Sequence, residues 1–249
     1  MTQEVARKES EALARPSFIK EGDLRGTENI QSSDIKPPAL RLAQSMSPEV
    51  KRSEPQFIKD LREGELFNSI TREVYGEGPV RLVFINYLGH QNIEFDPNDR
   101  NTVLDGAVPD GDPRTEFTFK TEAGKQVRIR PRATKFANFV VHLYINGRPV
   151  QLMTLSLKST QLKKATQLLT IFKLSKFPSF AYAFDVTIAT EHRGANTWYG
   201  WKFTPAGWVS EEQYNAASEA FESFKGKTIV AETEGDPTAD REEDSDIPF

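Results

Sequence analysis

Residues 136 to 157 constrain the fold more than any other part of the sequence. Apolar and polar side chains alternate along residues 136–145 and again along residues 150–157, as is typical of strands with one buried face. Asn146 and Gly147 lie between the two stretches, and both residue types tolerate a positive φ. The segment therefore predicts a tight β-hairpin, in a chain organised around antiparallel strands.

Strand patterns recur on both sides of this hairpin, at residues 66–75, 80–95, 117–119, 127–130, 182–190 and 197–204. Two stretches instead have a helical period. Residues 159–173 predict an amphipathic helix, with Ser159 or Thr160 as its cap, and one face holds Leu162, Ala165, Leu168, Leu169 and Phe172. Residues 211–225 predict a second helix behind a capping box of Ser210 and Gln213. The fold class expected is mainly β, with one helix between strands and a C-terminal helix.

Strands followed by one helix and two more strands are the order of the OB-fold, a small Greek-key barrel. An OB-fold-like β-barrel is therefore the expected architecture. An SH3-like barrel or an irregular α+β domain has a similar number of elements, and the order of patterns leaves both alternatives open.

The polarity of the chain divides it into three parts. Residues 1–36 lack a sustained apolar period and predict a disordered segment. Residues 37–229 contain the strand and helix patterns and predict one elaborated OB-fold domain, with an acidic loop insert at residues 94–113. Residues 230–249 predict an acidic disordered tail.

Composition excludes several kinds of chemistry. The chain has no cysteine and three histidines, so disulfides, zinc fingers and thiolate nucleophiles are excluded. No catalytic motif is recognisable, and we expect neither an enzyme nor a cofactor. The aspartates of the acidic insert lack the spacing of a calcium loop, which favours a flexible acidic loop over a cation site. Without a long apolar run or a signal peptide, we expect no membrane contact and a cytoplasmic location.

Charge is strongly segregated along the chain. The formal net charge is −4, but residues 231–249 carry eight acidic residues against one arginine, and residues 94–112 carry six against one. Residues 114–176 carry thirteen lysines or arginines against two glutamates, interleaved with aromatic residues. A basic region combined with an acidic tail is typical of a protein that binds a polyanion.

Alternation indicates which of these basic and aromatic side chains face outward. If Ala137, Phe139, Val141, Leu143 and Ile145 form the buried face of one strand, Phe136, Asn138, His142 and Tyr144 face away from that core. By the same reasoning Arg128, Arg130 and Arg132 form one row, and Trp198 lies beside Lys202. Exposed rings beside cations are what single-stranded DNA requires, because bases stack on rings while cations follow the phosphates.

The candidate DNA-binding residues share this basic or aromatic character and an expected outward position; they are Arg128, Arg130, Arg132, Lys135, Phe136, Tyr144, Lys158, Lys163, Lys164, Trp198 and Lys202. The alternative for any one of them is structural, since exposed cations also solubilise and strand aromatics often pack in cores. A protein-binding or heparin-like surface is a further alternative for the whole set.

The chain ends in Asp244-Ser245-Asp246-Ile247-Pro248-Phe249. This ending resembles the acidic C-terminal tip of bacterial single-stranded DNA-binding proteins, Asp-Asp-Asp-Ile-Pro-Phe, from which it departs at Ser245. The resemblance implies that Asp244, Asp246, Ile247, Pro248 and Phe249 recruit replication, recombination and repair proteins. With its long acidic insert, its leader at residues 36–50 and its Trp-rich final strand, the body resembles divergent phage-encoded single-stranded DNA-binding proteins, which implies the host cytoplasm. Bacterial proteins with this tip tend to tetramerise, so a homo-oligomer is compatible with the resemblance.

The function expected from the sequence is protection of single-stranded DNA together with recruitment of partners through the tip. The main alternative is a replication or recombination adaptor whose chief contacts are with proteins. A metal-dependent nuclease is less favoured, because no carboxylate cluster has metal-ligand spacing.

Overall fold

The computed structural model describes residues 37–97, 102–122, 125–194 and 196–224, which form eleven β-strands and two α-helices. The strands are β1 (Leu40–Leu42), β2 (Leu66–Asn68), β3 (Val74–Gly76), β4 (Val80–Phe95), β5 (Val103–Val108), β6 (Thr118–Glu122), β7 (Lys125–Ile129), β8 (Ala133–Ile145), β9 (Arg148–Lys158), β10 (Tyr182–Arg193) and β11 (Asn196–Trp208). The helices are α1 (Leu162–Ser175) and α2 (Glu211–Phe224). The predicted mainly β fold, with one helix between strands and a C-terminal helix, is confirmed.

Five long antiparallel strands form the main sheet in the spatial order β11-β10-β4-β8-β9, and β5 pairs with β4 beside them. In chain order these five are β4, β8, β9, β10 and β11, with α1 between the third and the fourth. The first strand therefore lies between the second and the fourth, as in the Greek-key order of an OB-fold.

The predicted hairpin lies between β8 and β9. Asn146 and Gly147 have φ values of 51° and 78°, and Ile145 pairs directly with Arg148 across them. Two consecutive residues with positive φ match the right-handed twist of the flanking strands. This local geometry fixes the register in which β8 and β9 pair.

The main core lies on one face of the main sheet. It is built from alternate residues of the five strands, including Phe84, Phe139, Leu155 and Phe184, and α1 packs across it through Ala165 and Leu168 among others. The predicted side-chain cap of α1 was wrong, since neither Ser159 nor Thr160 caps the helix. A three-residue 3₁₀ turn, Ser159–Gln161, precedes α1 instead. Trp201 belongs to this core, and Phe203 packs against it, which identifies the buried face of β11.

A second, smaller core covers the other side of β4 and β8. Val83, Ile85 and Val140 pack there against Phe180 and against Ala217 of α2. The predicted capping box begins α2, since the Ser210 hydroxyl accepts from the Gln213 amide and the Gln213 side chain accepts from the Ser210 amide. β8 is consequently buried on both faces over much of its length.

A short segment bonds to both edge strands of the main sheet, β9 and β11. Among the described residues, β9 and β11 are the two ends of the strand order and form no ladder with each other. Pro38 accepts a backbone hydrogen bond from Thr154 of β9 at 2.8 Å, and the side chain of Gln44 bonds to the backbone of Tyr199 on β11. Residues 38–44 thus connect both edges without completing a ladder.

The acidic insert at residues 94–113 is more ordered than its composition predicted. Six of its residues form β5, which pairs antiparallel with the end of β4, and Asn92 lies opposite Val108. The prediction of a loop throughout this insert was therefore wrong. The predicted disorder of residues 1–36 and 230–249 concerns segments that lie outside the described residues.

Candidate nucleic-acid interface

The hairpin of β6 and β7 carries an exposed cation and an exposed aromatic ring. It belongs to the long connection between β4 and β8, and the two strands pair only with each other among the described residues. Arg128 lies over the ring of Phe117, with its guanidinium carbon 3.6 Å from the ring centre. Phe119 pairs with Arg128 across the hairpin and is 63% exposed. An open ring next to a cation is therefore present on this connection.

Two other predicted cations lie against the acidic insert. Arg132 forms an ion pair with buried Glu94 at 2.6 Å, although 72% of its side chain is exposed. Lys135 lies 3.8 Å from a carboxylate oxygen of Asp110. Arg130, which lies between Arg128 and Arg132 in the chain, is half-buried. Arg132 and Lys135 thus lie against carboxylates that would compete with any phosphate for the same cations.

Arg114 holds the acidic insert together. Its guanidinium bonds to Glu94 and Asp105 at 2.9 Å and to Asp112 at 2.8 Å. The hydrogen bonds from Arg114 lower the pKa of Asp112 to about 2. A hydrogen bond from Asn92 and the charge of Lys135 lower the pKa of Asp110. Asp110 and Asp112 are therefore charged near neutral pH and bonded to protein donors.

Phe136 was expected to face outward, and that placement was wrong. The ring is 1% exposed and packs 6.2 Å from the ring of Phe95, which belongs to the same sheet. The ammonium of Lys158, its partner across the ladder, lies 5.7 Å from the ring centre. Phe136 is therefore covered, while Lys158 is half-buried beside it.

Tyr144 was also expected to face outward and is 3% exposed. It belongs to the small core that α2 covers, and burial raises the pKa of its hydroxyl. Tyr144 follows Lys135 by nine strand residues, or about 30 Å at the rise of an extended chain. The structure therefore separates Tyr144 from the basic end of β8. Helix α2 explains this error. Alternation along β8 identifies two faces of the strand, but it cannot indicate that a second element covers the face opposite the main core.

Another predicted group meets at the start of α1. Lys164 and the indole of Trp198 both donate to the carboxylate of Glu191, the latter at 2.8 Å. Burial raises the pKa of Glu191, but these hydrogen bonds outweigh it and hold the pKa below its usual range. A Cβ on Gly200 would collide with this carboxylate, so glycine makes room for the cluster. Trp198 and Lys164 are therefore partly occupied by an internal partner.

Lys163 and Lys202, which flank this cluster in the chain, are exposed. A shallow cavity of about 220 Å³ lies nearby between α1 and β11, lined by Lys164, Lys202, Trp201 and Phe203 among others. The predicted residues thus divide among three places. Arg128 lies on the hairpin, Arg132 and Lys135 lie against the acidic insert, and a group near the start of α1 comprises Lys163, Lys164, Trp198 and Lys202. Phe136 and Tyr144 are buried and belong to none of them. Phe117 and Phe119 lie beside Arg128, and the signal for them was the aromatic spacing within the basic segment.

A comparison with protein families gives a match over most of the chain. The model described as Pam3 phage gp34-like protein matches residues 7–230. The chain belongs to this family. Every candidate DNA-binding residue of this gp34-like chain lies inside the matched range, whereas the C-terminal tip lies beyond it. Searches of curated proteins and of solved structures gave no match.

The tip residues Asp244, Asp246, Ile247, Pro248 and Phe249 lie outside the described residues. Within the described ranges, no group of three or more acidic or histidine side chains could hold a metal ion. A search of the same ranges for a helix long and apolar enough to cross a membrane found none.

Proposed function

We propose that this phage-family protein binds single-stranded DNA and recruits replication, recombination or repair proteins through its acidic C-terminal tip. The observation that carries the DNA-binding proposal is the exposed ring of Phe119 beside the stacked pair of Phe117 and Arg128. These residues lie in the connection between the first and second strands of a sheet with OB-fold order. In OB-folds that connection contributes to the surface that binds oligonucleotides.

The chemistry of this hairpin suits a single strand better than a duplex. An exposed ring offers a stacking surface to an unpaired base, and base stacking contributes about 1–3 kcal/mol per base. Arg128, and Lys163 on α1, are exposed cations that can contact phosphates. Binding would require phosphates to compete with Glu94 and Asp110 for Arg132 and Lys135. Because each contact between a cation and a phosphate releases counterions, we expect binding to weaken as the salt concentration rises.

A titration of a fluorescein-labelled dT oligonucleotide with the full chain tests the proposal. Wild-type protein should raise the anisotropy, and Phe119→Ala should weaken binding about five- to a hundredfold, the loss expected for one stacked base. Arg128→Ala should make the slope of log K against log salt shallower by about 0.7. Absence of binding by the wild-type protein would favour the adaptor function, and loss of the oligonucleotide upon addition of Mg²⁺ would indicate a nuclease.

Two matched variants control for general effects on the surface. Ile70→Ala shortens an apolar side chain of similar exposure in the turn between β2 and β3. Lys59→Ala removes an exposed cation from the segment between β1 and β2. Both variants should bind as the wild type does. Equal weakening by Ile70→Ala and Phe119→Ala would contradict a stacking role for the hairpin.

A further inference from the structure

Three aromatic side chains, none of them among the candidate DNA-binding residues, meet at one end of the β10–β11 ladder. Tyr182 and Trp208 are direct partners at the end of that ladder. Phe177 reaches them from the turn that follows α1. Trp208 is 63% exposed and Phe177 is 54% exposed, so the group lies at the surface. Neither ring belongs to the cores described above.

The ring geometry leaves one face of Trp208 open. Tyr182 lies 4.3 Å from Trp208 at an interplanar angle of 31°, so it covers one face of the indole. Phe177 lies 5.1 Å from Trp208 and perpendicular to it. If Phe177 lay on the opposite face of the indole, the ring centres of Phe177 and Tyr182 would be separated by nearly the sum of their two distances to Trp208. These two ring centres are only 6.3 Å apart. Phe177 therefore stands at the side of the indole.

Tyr182 and Trp208 thus form a stacked pair in which Trp208 is the accessible outer ring, and Phe177 stands perpendicular to it at one side. Ladder pairing positions Tyr182 and Trp208 before any ligand arrives, which lowers the entropic cost of stacking a third ring. A flat aromatic ligand can extend this stack and place its edge against Phe177. A nucleobase has both the flat face and the size that this position requires.

The surrounding charge favours a ligand with a phosphate backbone. Lys173 and Lys176 are exposed and lie at the end of α1, immediately before Phe177. The acidic residues Glu211 and Glu212 begin α2 shortly after Trp208. From a base stacked on Trp208, the nucleic-acid backbone should therefore run toward the two lysines. It should avoid the start of α2, because the glutamates there repel phosphates.

We propose that Trp208, stacked on Tyr182 and bordered by Phe177, is a second stacking site for a base of single-stranded nucleic acid. The inference rests on the proposed function and extends it to a surface formed by the end of β11 and the turn after α1. Lys173 and Lys176 supply the phosphate contacts next to this base.

Intrinsic fluorescence gives a direct test, because the three tryptophans have different surroundings. Trp201 is buried and Trp198 is bonded to Glu191, whereas Trp208 has an open ring face. Poly-dT should quench the wild-type emission, and Trp208→Phe should abolish most of that quenching while retaining a ring for stacking. Persistent quenching in Trp208→Phe would overturn the proposal, even if affinity is unchanged.

The affinity of the labelled dT oligonucleotide provides the second measurement. Trp208→Ala should weaken binding about five- to a hundredfold, and Trp208→Phe should restore most of the affinity. Leu174→Ala is the matched control, since this neighbouring side chain is 74% exposed but has no ring. Its affinity should equal that of the wild type, and thermal unfolding should establish that all variants are folded.

The outcomes separate this proposal from the proposed function. If the wild type fails to bind the oligonucleotide, the proposed function fails together with this site. If the wild type binds and Trp208→Ala binds equally well, only the Trp208 site is refuted. Equal weakening by Leu174→Ala and Trp208→Ala would refute base stacking, because it would show that the oligonucleotide needs only a general apolar contact at this surface.

Discussion

The side chain of Gln44 bonds to both main-chain groups of Tyr199. Its amide nitrogen donates to the Tyr199 carbonyl oxygen at 2.9 Å, and its amide oxygen accepts from the Tyr199 nitrogen at 3.0 Å. One glutamine thereby supplies the pair of hydrogen bonds that a neighbouring strand would offer to β11. This contact secures the segment that bonds to both edge strands of the sheet.

Gln44→Ala should lower the free energy of unfolding by about 1–3 kcal/mol, since it removes two hydrogen bonds from a partly buried backbone. Urea denaturation followed by circular dichroism measures this loss. Gln56→Ala is the control, because Gln56 is exposed in the segment between β1 and β2. Equal denaturation midpoints for the two variants would show that Gln44 does not stabilise β11.

Local patterns predicted the elements whose causes are local. The bounds of β4 agree with its apolar pattern, the turn at Asn146 and Gly147 has the expected positive φ values, and the capping box of Ser210 and Gln213 forms as its spacing indicates. The turn and the capping box depend on residues only a few positions apart, and the apolar pattern that predicts β4 lies within the strand itself. Their geometry is therefore encoded within a short stretch of sequence.

The errors concern contacts between residues far apart in the chain. Tyr144 is buried because Ala217 and its neighbours on α2, more than seventy residues later, cover that face of β8. β5 was missed because its composition resembles a loop, whereas its pairing with β4 supplies the partners that make it a strand. The pairing of Glu191 with Lys164, 27 residues earlier in the chain, likewise had no signal in the sequence.

Phe136→Ala should mainly affect stability. The ring is buried, so truncation leaves a cavity and should cost about 3–5 kcal/mol in the free energy of unfolding. Phe119→Ala removes the same side chain from an exposed position and should change stability by less than about 0.5 kcal/mol. Chemical denaturation of both variants checks the comparison. Similar stability losses in the two would mean that Phe119 packs as a core residue does.

Acid should weaken the Arg114 cluster. The pKa of Asp112 is held at about 2 in the folded protein, below the ordinary value near 4 in the unfolded chain. The contribution of this carboxylate is therefore complete above about pH 4 and is lost as the pH falls toward 2. Arg114→Ala should return the pKa of Asp112 toward its ordinary value and flatten the stability profile in this window.

NMR titration of the carboxyl groups measures the first effect, and thermal unfolding between about pH 2 and pH 5 measures the second. Arg52→Ala removes an exposed cation elsewhere and should leave both profiles as in the wild type. An unchanged Asp112 titration in Arg114→Ala would contradict the assigned cause of its low pKa.

The acidic tail should compete with DNA for the basic surface. Residues 231–249 carry eight acidic residues against one arginine, and a tether of this length can give a local concentration in the millimolar range. Deletion of residues 232–249 should raise the affinity for dT oligonucleotides several-fold at low salt. The gain should shrink at high salt, where the charges are screened.

Deletion of Phe249 alone separates this competition from partner recruitment. It leaves the formal charge of the chain unchanged and moves the terminal carboxylate to Pro248, so the affinity for DNA should stay at the wild-type value. Binding of replication or repair proteins should fall, because the apolar anchor of the tip is lost. Anisotropy titrations and pull-downs with purified partners measure the two effects. If both deletions weaken DNA binding equally, the tail contributes to the DNA site itself and does not act as its competitor.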